Sequence, residues 1–342
     1  MRIGLCGIVK NEAPYLIDWI AWYSALGFTD FIIADNESDD GTTEILKDLQ
    51  RKRVLHTFNI KTRLHNRPQR EAYILGAELA KHLGIDWVAF FDPDEYLLPG
   101  SPEIKITEFL SQLPDDCGAL CIDWALYGSS GQIKAQADPT PYRFEWRAEK
   151  KEPTYYKTLA RMSAYQRTQG AHHAILASGY RHLRPNGAEI DHAAISKSSE
   201  GVWEPFRLNH YSIRSWAEFT RKKLSKARLD HPDKQVDARQ FFKFDKNDVH
   251  DPLPDWCRPR FEKRKRDLLE VLGKRGSYEN AIKAVIDFEA PPKPRSDEFA
   301  LGTGSSPIQT PAPKANFFAR RARFHAMRLS HKLVPRRPPR AW

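Results

Sequence analysis

Residues Arg2–Thr42 read RIGLCGIVKNEAPYLIDWIAWYSALGFTDFIIADNESDDGT, and the order of patterns in this stretch decides the fold class. Ile3–Val9 is an unbroken apolar run, the pattern of a strand buried on both faces. Asn11 is the candidate N-cap of the helix that follows, Pro14 suits its first turn, and Gly27 is a natural stop. Within it, Leu16, Ile20, Tyr23 and Ala25 to Leu26 form an apolar face at helical spacing. DFIIAD (30–35) then predicts a second strand, NESDDG a polar turn, and TTEILKDLQ a second helix. The unit repeats as the strand RVLHTF, the helix RPQREAYILGAELAKHLG from Pro68 to Gly84, and the strand DWVAFFD. Strands and helices alternating at roughly 30-residue spacing imply βαβ units on a parallel sheet. The expected fold is therefore α/β, with a Rossmann-like, mostly parallel central sheet flanked by helices. Ligands of such sheets bind at the carboxyl ends of the strands. Three acidic loops occupy those ends here: KNE after the first strand, DNESDDG after the second, and DPDEY after the fourth.

Beyond Pro99 the pattern loosens. EIKITEFLSQL predicts a helix, and GALCIDWALYGSSG a strand with a Gly/Ser turn. Residues 135–195 mix aromatics and histidines with short strand-like runs such as YYKTLARM. IRSWAEFTRKKLSKARLD and RFEKRKRDLLEVLGKRG read as helices. Residues 290–313 are rich in Pro, Gly and Ser and read as a linker. The final segment, NFFARRARFHAMRLSHKLVPRRPPRAW, has the spacing of a basic amphipathic helix. Phe318, Ala322, Ala326, Leu329 and Leu333 would share one of its faces. The expected division is a first domain at 1–230, a C-terminal helical extension at 231–289, and a linker with a basic tail at 290–342.

With 342 residues, 41% hydrophobic and 29% charged, the chain has the composition of a folded enzyme. No apolar run approaches the ~20 residues that span a bilayer. The start predicts a first strand rather than a signal peptide. Cys6, Cys117, Cys121 and Cys257 form no C-x-x-C pair and read as buried thiols in a reducing compartment. The net charge of +10 is unevenly placed: eleven of the 54 basic and two of the 44 acidic residues lie from Ala290 onward. The remaining 43 basic and 42 acidic residues nearly cancel, so the body of the chain is not a nucleic-acid surface. The tail at 316–342 instead suggests peripheral contact with anionic lipid, on a cytoplasmic protein at the inner membrane face.

The DPDE at 92–95 ends the fourth strand with three carboxylates, whose mutual repulsion needs a positive partner. In one reading Asp92 and Asp94 hold a divalent cation, since Mg²⁺ and Mn²⁺ take hard oxygen donors and leave positions for phosphates. In a second, Asp92 is the nucleophile of an aspartyl-phosphate enzyme. In a third, the stretch is a solvated turn. Aspartyl-phosphate enzymes carry their motif on the first strand, followed by Thr or Val. Here it follows three βα units and precedes Glu95 and Tyr96.

GIVKNEAPYLIDWIAWYSALGFTDFIIADNESDDGT, RPQREAYILGAELAK, DWVAFFDPDEYLLP, GALCIDWALYGSSG, KTLAR with the His172–His173 pair, and LNHYSIRSWAEFTRKK occur here in that order. Together they resemble the glycosyltransferase family 2 group, and more narrowly its family-92-like branch with a GT-A fold, over about residues 1–230. The resemblance implies a metal-dependent, non-processive transferase. It would move a sugar from a nucleotide-diphosphate donor to a glycan or glycolipid hydroxyl, with inversion. It implies that Val9, Lys10, Asn11, Glu12, Asp35, Asp39, Arg70, Asp92 and Pro93 contact the nucleotide-sugar. Asp92, Asp94 and His210 would hold Mn²⁺ or Mg²⁺, and Trp124, His172 and His173 would face the acceptor.

Glycosyl transfer also needs a base for the acceptor hydroxyl, usually a carboxylate. The Glu-Asp pair that serves many family 2 enzymes is absent. Asp123, Asp191 and Glu204 are the alternatives; Asp123, beside Trp124, is the expected base, and Glu95 a second catalytic carboxylate. The Q-x-x-R-W signature of processive synthases is also missing. Competing readings are a non-catalytic nucleotide-sugar-binding relative, a nucleic-acid-binding protein using its basic tail, and a nucleotidyltransferase. The last lacks a Gly-rich basic loop after the first strand. Several residues also have plain structural readings. Glu12 and Asp18 suit helix N-terminal charges, NESDDG a cap for the following helix, Trp19 and Trp22 the core, and His210 a satisfied buried histidine.

Overall fold

Every position of β1 (Ile3–Val9) is buried, as a strand covered on both faces requires. The computed structural model describes residues 1–61, 67–151, 154–190, 197–198, 200–222, 236–273 and 276–295. After β1 come α1 (Ala13–Ala25), β2 (Asp30–Asp35), α2 (Thr42–Arg51), β3 (His56–Asn59), α3 (Pro68–Leu83) and β4 (Trp87–Phe90). Next are β5 (Glu95–Pro99), α4 (Ile106–Ser111), β6 (Cys117–Leu126), α5 (Thr140–Arg143), β7 (Trp146–Arg147), β8 (Thr154–Arg161), β9 (Tyr165–Gln169), β10 (His173–Leu176) and β11 (Arg181–Leu183). The order ends with β12 (Lys197–Ser198), β13 (Phe206–His210), α6 (Trp216–Lys222), α7 (Ala238–Phe244), β14 (Val249–His250), α8 (Cys257–Leu272) and α9 (Gly276–Ile286).

The main sheet runs β3-β2-β1-β4-β8-β6-β13-β5, with β11 paired to β6 and β12 to β8. Its first four strands are parallel, as expected. The rest keeps the expected, mostly parallel direction, with β8 and β5 as the reversed strands. β8 runs antiparallel to both β4 and β6, and β5 antiparallel to β13, so the sheet is mixed. The carboxyl ends of β1, β2, β4, β6 and β13 therefore share one edge with the starts of β5 and β8. That edge collects the chemistry.

One face of the sheet packs against α1, whose Trp19, Ile20 and Tyr23 are fully buried; α8 and α9 lie against α1 from outside. Trp19 and Trp22 are core, and their indole N–H groups donate to the carbonyls of Glu95 and Leu97. The other face carries α3, with Tyr73, Ala77 and Ala80 over Cys6, Ile32 and Val88. Residues 1–294, including α8 and α9, form one compact unit. All four cysteines are buried free thiols. The predicted helix at 213–230 is seen as α6 up to Lys222, and residues 223–235 lie outside the described ones. Residues from 296 onward, including the basic tail, also lie outside them. Among the described residues no helix is long and apolar enough to cross a membrane.

The α3–β1 contact is close because Gly76 has no side chain: a Cβ there would meet Cys6 Sγ at 2.3 Å. Gly76→Ala is expected to lower stability by about 1–3 kcal/mol, the usual result of overpacking. Urea unfolding at neutral pH measures it. A second substitution, Cys6→Ala, which opens the space, should recover part of the loss.

The entry to α1 departs from the predicted cap. Asn11 precedes the cap position in a left-handed conformation, at φ 58°, which Asn tolerates better than most residues. Glu12 occupies the cap position, without a side-chain bond of its own to the helix. The caps come from the NESDDG region across the sheet edge. Thr42 Oγ1 accepts from the Glu12 amide (2.9 Å) and Asp40 Oδ2 from the Ala13 amide (3.1 Å). The acidic loop thus caps the preceding helix, fastening the β1 and β2 ends to each other.

Candidate functional site

The carboxylates of DPDE have a positive partner, and it is a lysine. Lys157, at the start of β8, is wholly buried and donates to Asp92 Oδ2 at 2.7 Å. The same ammonium lies 3.6 Å from Glu95 Oε2. Asp92 Oδ1 accepts from Gln69 Nε2 (2.7 Å) and Tyr73 OH (2.9 Å), both on α3. Glu95 Oε2 accepts the Asp92 amide at 2.7 Å, closing the turn from β4 into β5. Burial raises the Glu95 pKa well above the usual carboxylate range; Lys157 opposes this, and Asp92 and Asp94 add to it. Burial would lower the Lys157 pKa, but Asp92 and Glu95 hold it above its ordinary value. One full positive charge is thus fixed between two carboxylates, and Glu95 is the member driven toward its neutral form.

Asp94 points elsewhere. Its Oδ1 lies 3.6 Å from His210 Nε2 at the end of β13, and its carbonyl accepts the Tyr211 amide. The His210 ring packs on Trp124 with centroids 4.0 Å apart. Trp124 also meets Tyr155 (5.5 Å) and His172 (5.2 Å), so four rings form a wall beside the carboxylates. His172 Nδ1 is 2.9 Å from the Tyr156 carbonyl. Burial, aided by the Lys157 charge, pushes the His172 pKa down to about 4.

The first two loops complete the edge. Asp35 is buried and accepts from the Ser38 amide and the Thr43 hydroxyl. Asp39 is exposed and exchanges two hydrogen bonds with the Asn11 side chain, at 2.7 and 2.9 Å. The Val9 carbonyl accepts the Asn36 amide, and Lys10 is half-buried beside it. Glu12 is buried against Lys222 and lies 3.8 Å from Arg214. Arg214, also buried, covers the Tyr15 ring at 3.8 Å and donates to the Pro93 carbonyl. The strand-end loops of β1, β4 and β13 are therefore joined by one cation.

Other expected residues fall elsewhere. Asp123 precedes Trp124 on β6, so the two project to opposite faces of the sheet. Asp123 is fully buried, accepts the Val202 amide at 2.8 Å and lies 3.3 Å from Arg184. This geometry removes it from the wall that carries Trp124 and gives it an anchoring role. His173 is likewise turned from His172: it meets Tyr156 OH at 3.0 Å and stacks on His182. Arg70 is exposed, and its neighbour Gln69 makes the contact to Asp92. Glu204 lies against Gly100, and Asp191 is outside the described residues.

Lys157, Gln69, Tyr73 and Arg214 were not singled out from the sequence. Lys157 did leave a signal, as a lone charge in the strand-like run YYKTLARM. A lysine in a buried strand needs an acidic partner, and the uncompensated DPDE was the obvious one.

The sequence profile of glycosyltransferase family 92 matches residues 4–239. Similar proteins include a family 92 glycosyltransferase protein of Oryza sativa subsp. japonica, 24% identical over 222 residues. Another, from Arabidopsis thaliana, is 25% identical over 234 residues. Each alignment takes in 64% of this chain, which spans only 34% and 36% of those two relatives' lengths. Among solved structures, S. aureus TarS 1–349 aligns with 48% of each chain at 15% identity and TM-score 0.31. TarS 1–349 in complex with UDP-GlcNAc aligns with 84% of this chain and 82% of its own, at 11% identity and TM-score 0.34.

Proposed function

Because the chain belongs to glycosyltransferase family 92, we propose that it transfers a single sugar from a nucleotide-diphosphate donor to a glycan or glycolipid hydroxyl, with inversion, on a GT-A fold. The observation that carries this reading is the convergence, at one sheet edge, of the Asp35 loop, Asp92, Asp94, Lys157 and His210. The nucleoside lies in this reading along the β1 and β2 loops, where buried Asp35 and the linked Asn11 and Asp39 offer polar groups. The diphosphate lies toward Asp94 and His210. Trp124, Tyr155 and His172 present aromatic faces, which suit the apolar face of a sugar ring.

A divalent cation fits two of the three residues expected to hold it. Asp94 and His210 face each other, with Nε2 the ring nitrogen turned to the Asp94 carboxylate at 3.6 Å. Asp92 already receives three donors, one of them cationic. No group of three His, Cys, Asp or Glu side chains suited to a metal occurs among the described residues. We therefore assign Mn²⁺ or Mg²⁺ to Asp94 and His210, with the remaining positions filled by phosphate oxygens and water, as hard cations commonly accept. The bound ion would offset charge on the departing diphosphate. Lys157 fixes Asp92 and the turn that carries Asp94, and Arg214 holds that turn through the Pro93 carbonyl.

Release of nucleoside diphosphate from a panel of UDP-, GDP- and dTDP-sugars, with and without Mn²⁺, tests the proposal. Asp94→Ala and His210→Ala are each expected to reduce kcat/KM about 10²-fold, the scale seen when one group stabilising developing charge is removed. Equal donor binding and turnover by wild type and an Asp92→Ala/Asp94→Ala double variant would overturn the reading. Donor binding without turnover in the wild type would identify a binding protein instead. The acceptor class, a cytoplasmic location and membrane contact through 316–342 form part of the same proposal. Vesicle sedimentation with and without that tail checks the membrane contact.

A further inference from the structure

With Asp123 turned to the far face, the site needs another group to take the acceptor proton. Each carboxylate of the DPDE turn is committed: Asp92 to three donors, Glu95 to Lys157 and the Asp92 amide, and Asp94 to the side of His210. His172 is placed differently. It sits in the turn between β9 and β10, half-buried, with its ring against Trp124 and Tyr155. Its Nδ1 lies 2.9 Å from the Tyr156 carbonyl oxygen. A carbonyl only accepts, so Nδ1 must carry the hydrogen. In a neutral imidazole the other nitrogen then bears a lone pair, and Nε2 makes no hydrogen bond among the described residues.

Resting on the transferase reading above, we propose that His172 Nε2 is the general base of the reaction. The acceptor O–H bond breaks and its proton passes to Nε2. The acceptor oxygen forms a bond to the anomeric carbon, and the bond from that carbon to the diphosphate oxygen breaks. The nucleoside diphosphate leaves with the electron pair. The Tyr156 carbonyl holds the tautomer and steadies the imidazolium that forms, as an orienting acceptor does for other catalytic histidines.

The charges around His172 support this role. Lys157 and His210 disfavour its protonation and Asp92 favours it, with burial the largest influence, and its pKa of about 4 is that of an ordinary carboxylate. It is therefore unprotonated at neutral pH and as basic as the carboxylates that usually do this work.

Nitrogen NMR of protein labelled with ¹⁵N-histidine tests the geometry without substrate, His172→Gln identifying the resonances by difference. The expected spectrum at pH 7 has a protonated, pyrrole-like Nδ1 and an unprotonated, pyridine-like Nε2. The opposite tautomer, or an imidazolium, would overturn the proposal whatever the enzyme's donor. Kinetics form the second arm. His172→Gln and His172→Ala should lose at least about 10²-fold in kcat, within the usual range for a general base. Both should lose the acidic limb of the pH profile, and added imidazole should restore part of the His172→Ala rate. Retained activity, or a decrease without rescue and with an unchanged pH profile, would refute the base. A wild type that releases no nucleoside diphosphate from any donor would instead refute the transferase reading.

Discussion

Lys157→Met is expected to be the most damaging single substitution at the candidate site. Met has a similar stem and no charge, so packing is largely kept while Asp92 and Glu95 lose their common cation. Removing one partner of a buried ion pair typically costs about 3–5 kcal/mol. The lower figure applies here, because Glu95 is already driven toward its neutral form and can shed its charge by protonation. Asp92 keeps its bonds to Gln69 and Tyr73 but loses its charge partner. The turn carrying Asp94 is then less well held, and kcat/KM should fall by about 10²-fold or more. Chemical denaturation and nucleoside diphosphate release measure the two effects. A Lys157→Met/Asp92→Asn variant should regain part of the stability and none of the activity. Unchanged stability in Lys157→Met would mean that the lysine carries no such burden.

How much of this was legible in the sequence depends on distance along the chain. β1, β2 and β4 were readable because apolar runs bounded by turn residues are local signals. So was α3, from Pro68 to the left-handed Gly84 that ends it. β5 was not, because its five residues begin with Glu95, a charge that period and propensity place in the preceding turn. Its carboxylate is tolerable in a fully buried strand only because Lys157 stands near it. That lysine is 65 residues from Asp92, and no local pattern shows which strand comes to lie beside β4. The same limit applies to Asp123. Its place after a predicted strand and beside Trp124 marked it, but it lies inside β6, and the face it takes depends on how β6 is covered. Strand alternation did separate it from Trp124 in principle, since adjacent residues cannot share a face. Asp40 and Thr42 were read as local turn and helix-start residues, yet their bonds reach across to α1.

The second large effect is expected behind the site, at Arg143. Its guanidinium and the Glu218 carboxylate are each about 2% exposed, with contacts of 3.0 and 2.6 Å. Glu218 also accepts from Tyr15 OH at 3.0 Å, so the pair joins α5, α6 and α1. Burial would raise the Glu218 pKa, but the charge and hydrogen bonds of Arg143, joined by the Arg214 charge and the Ser215 hydrogen bond, leave the carboxyl below its ordinary value. A depressed carboxyl pKa adds stability above the unfolded-state value, and that stability is lost as the pH falls through the folded-state value. Arg143→Met should therefore lower stability by about 3–5 kcal/mol at pH 7. The gap from wild type should narrow as the pH falls below about 4.3, where Glu218 of the unfolded chain takes up its proton. Urea unfolding across pH 3–7 measures this, and parallel curves for the two proteins would contradict it. A functional consequence follows from position. Tyr15, held by Glu218, is the ring on which Arg214 rests, and Arg214 meets Glu12 and the Pro93 carbonyl. Weakening the pair loosens the cation that ties the β1, β4 and β13 loops together. Arg143→Met should thus raise the KM for donor even under conditions where the protein remains folded, whereas a purely structural pair would leave KM unchanged.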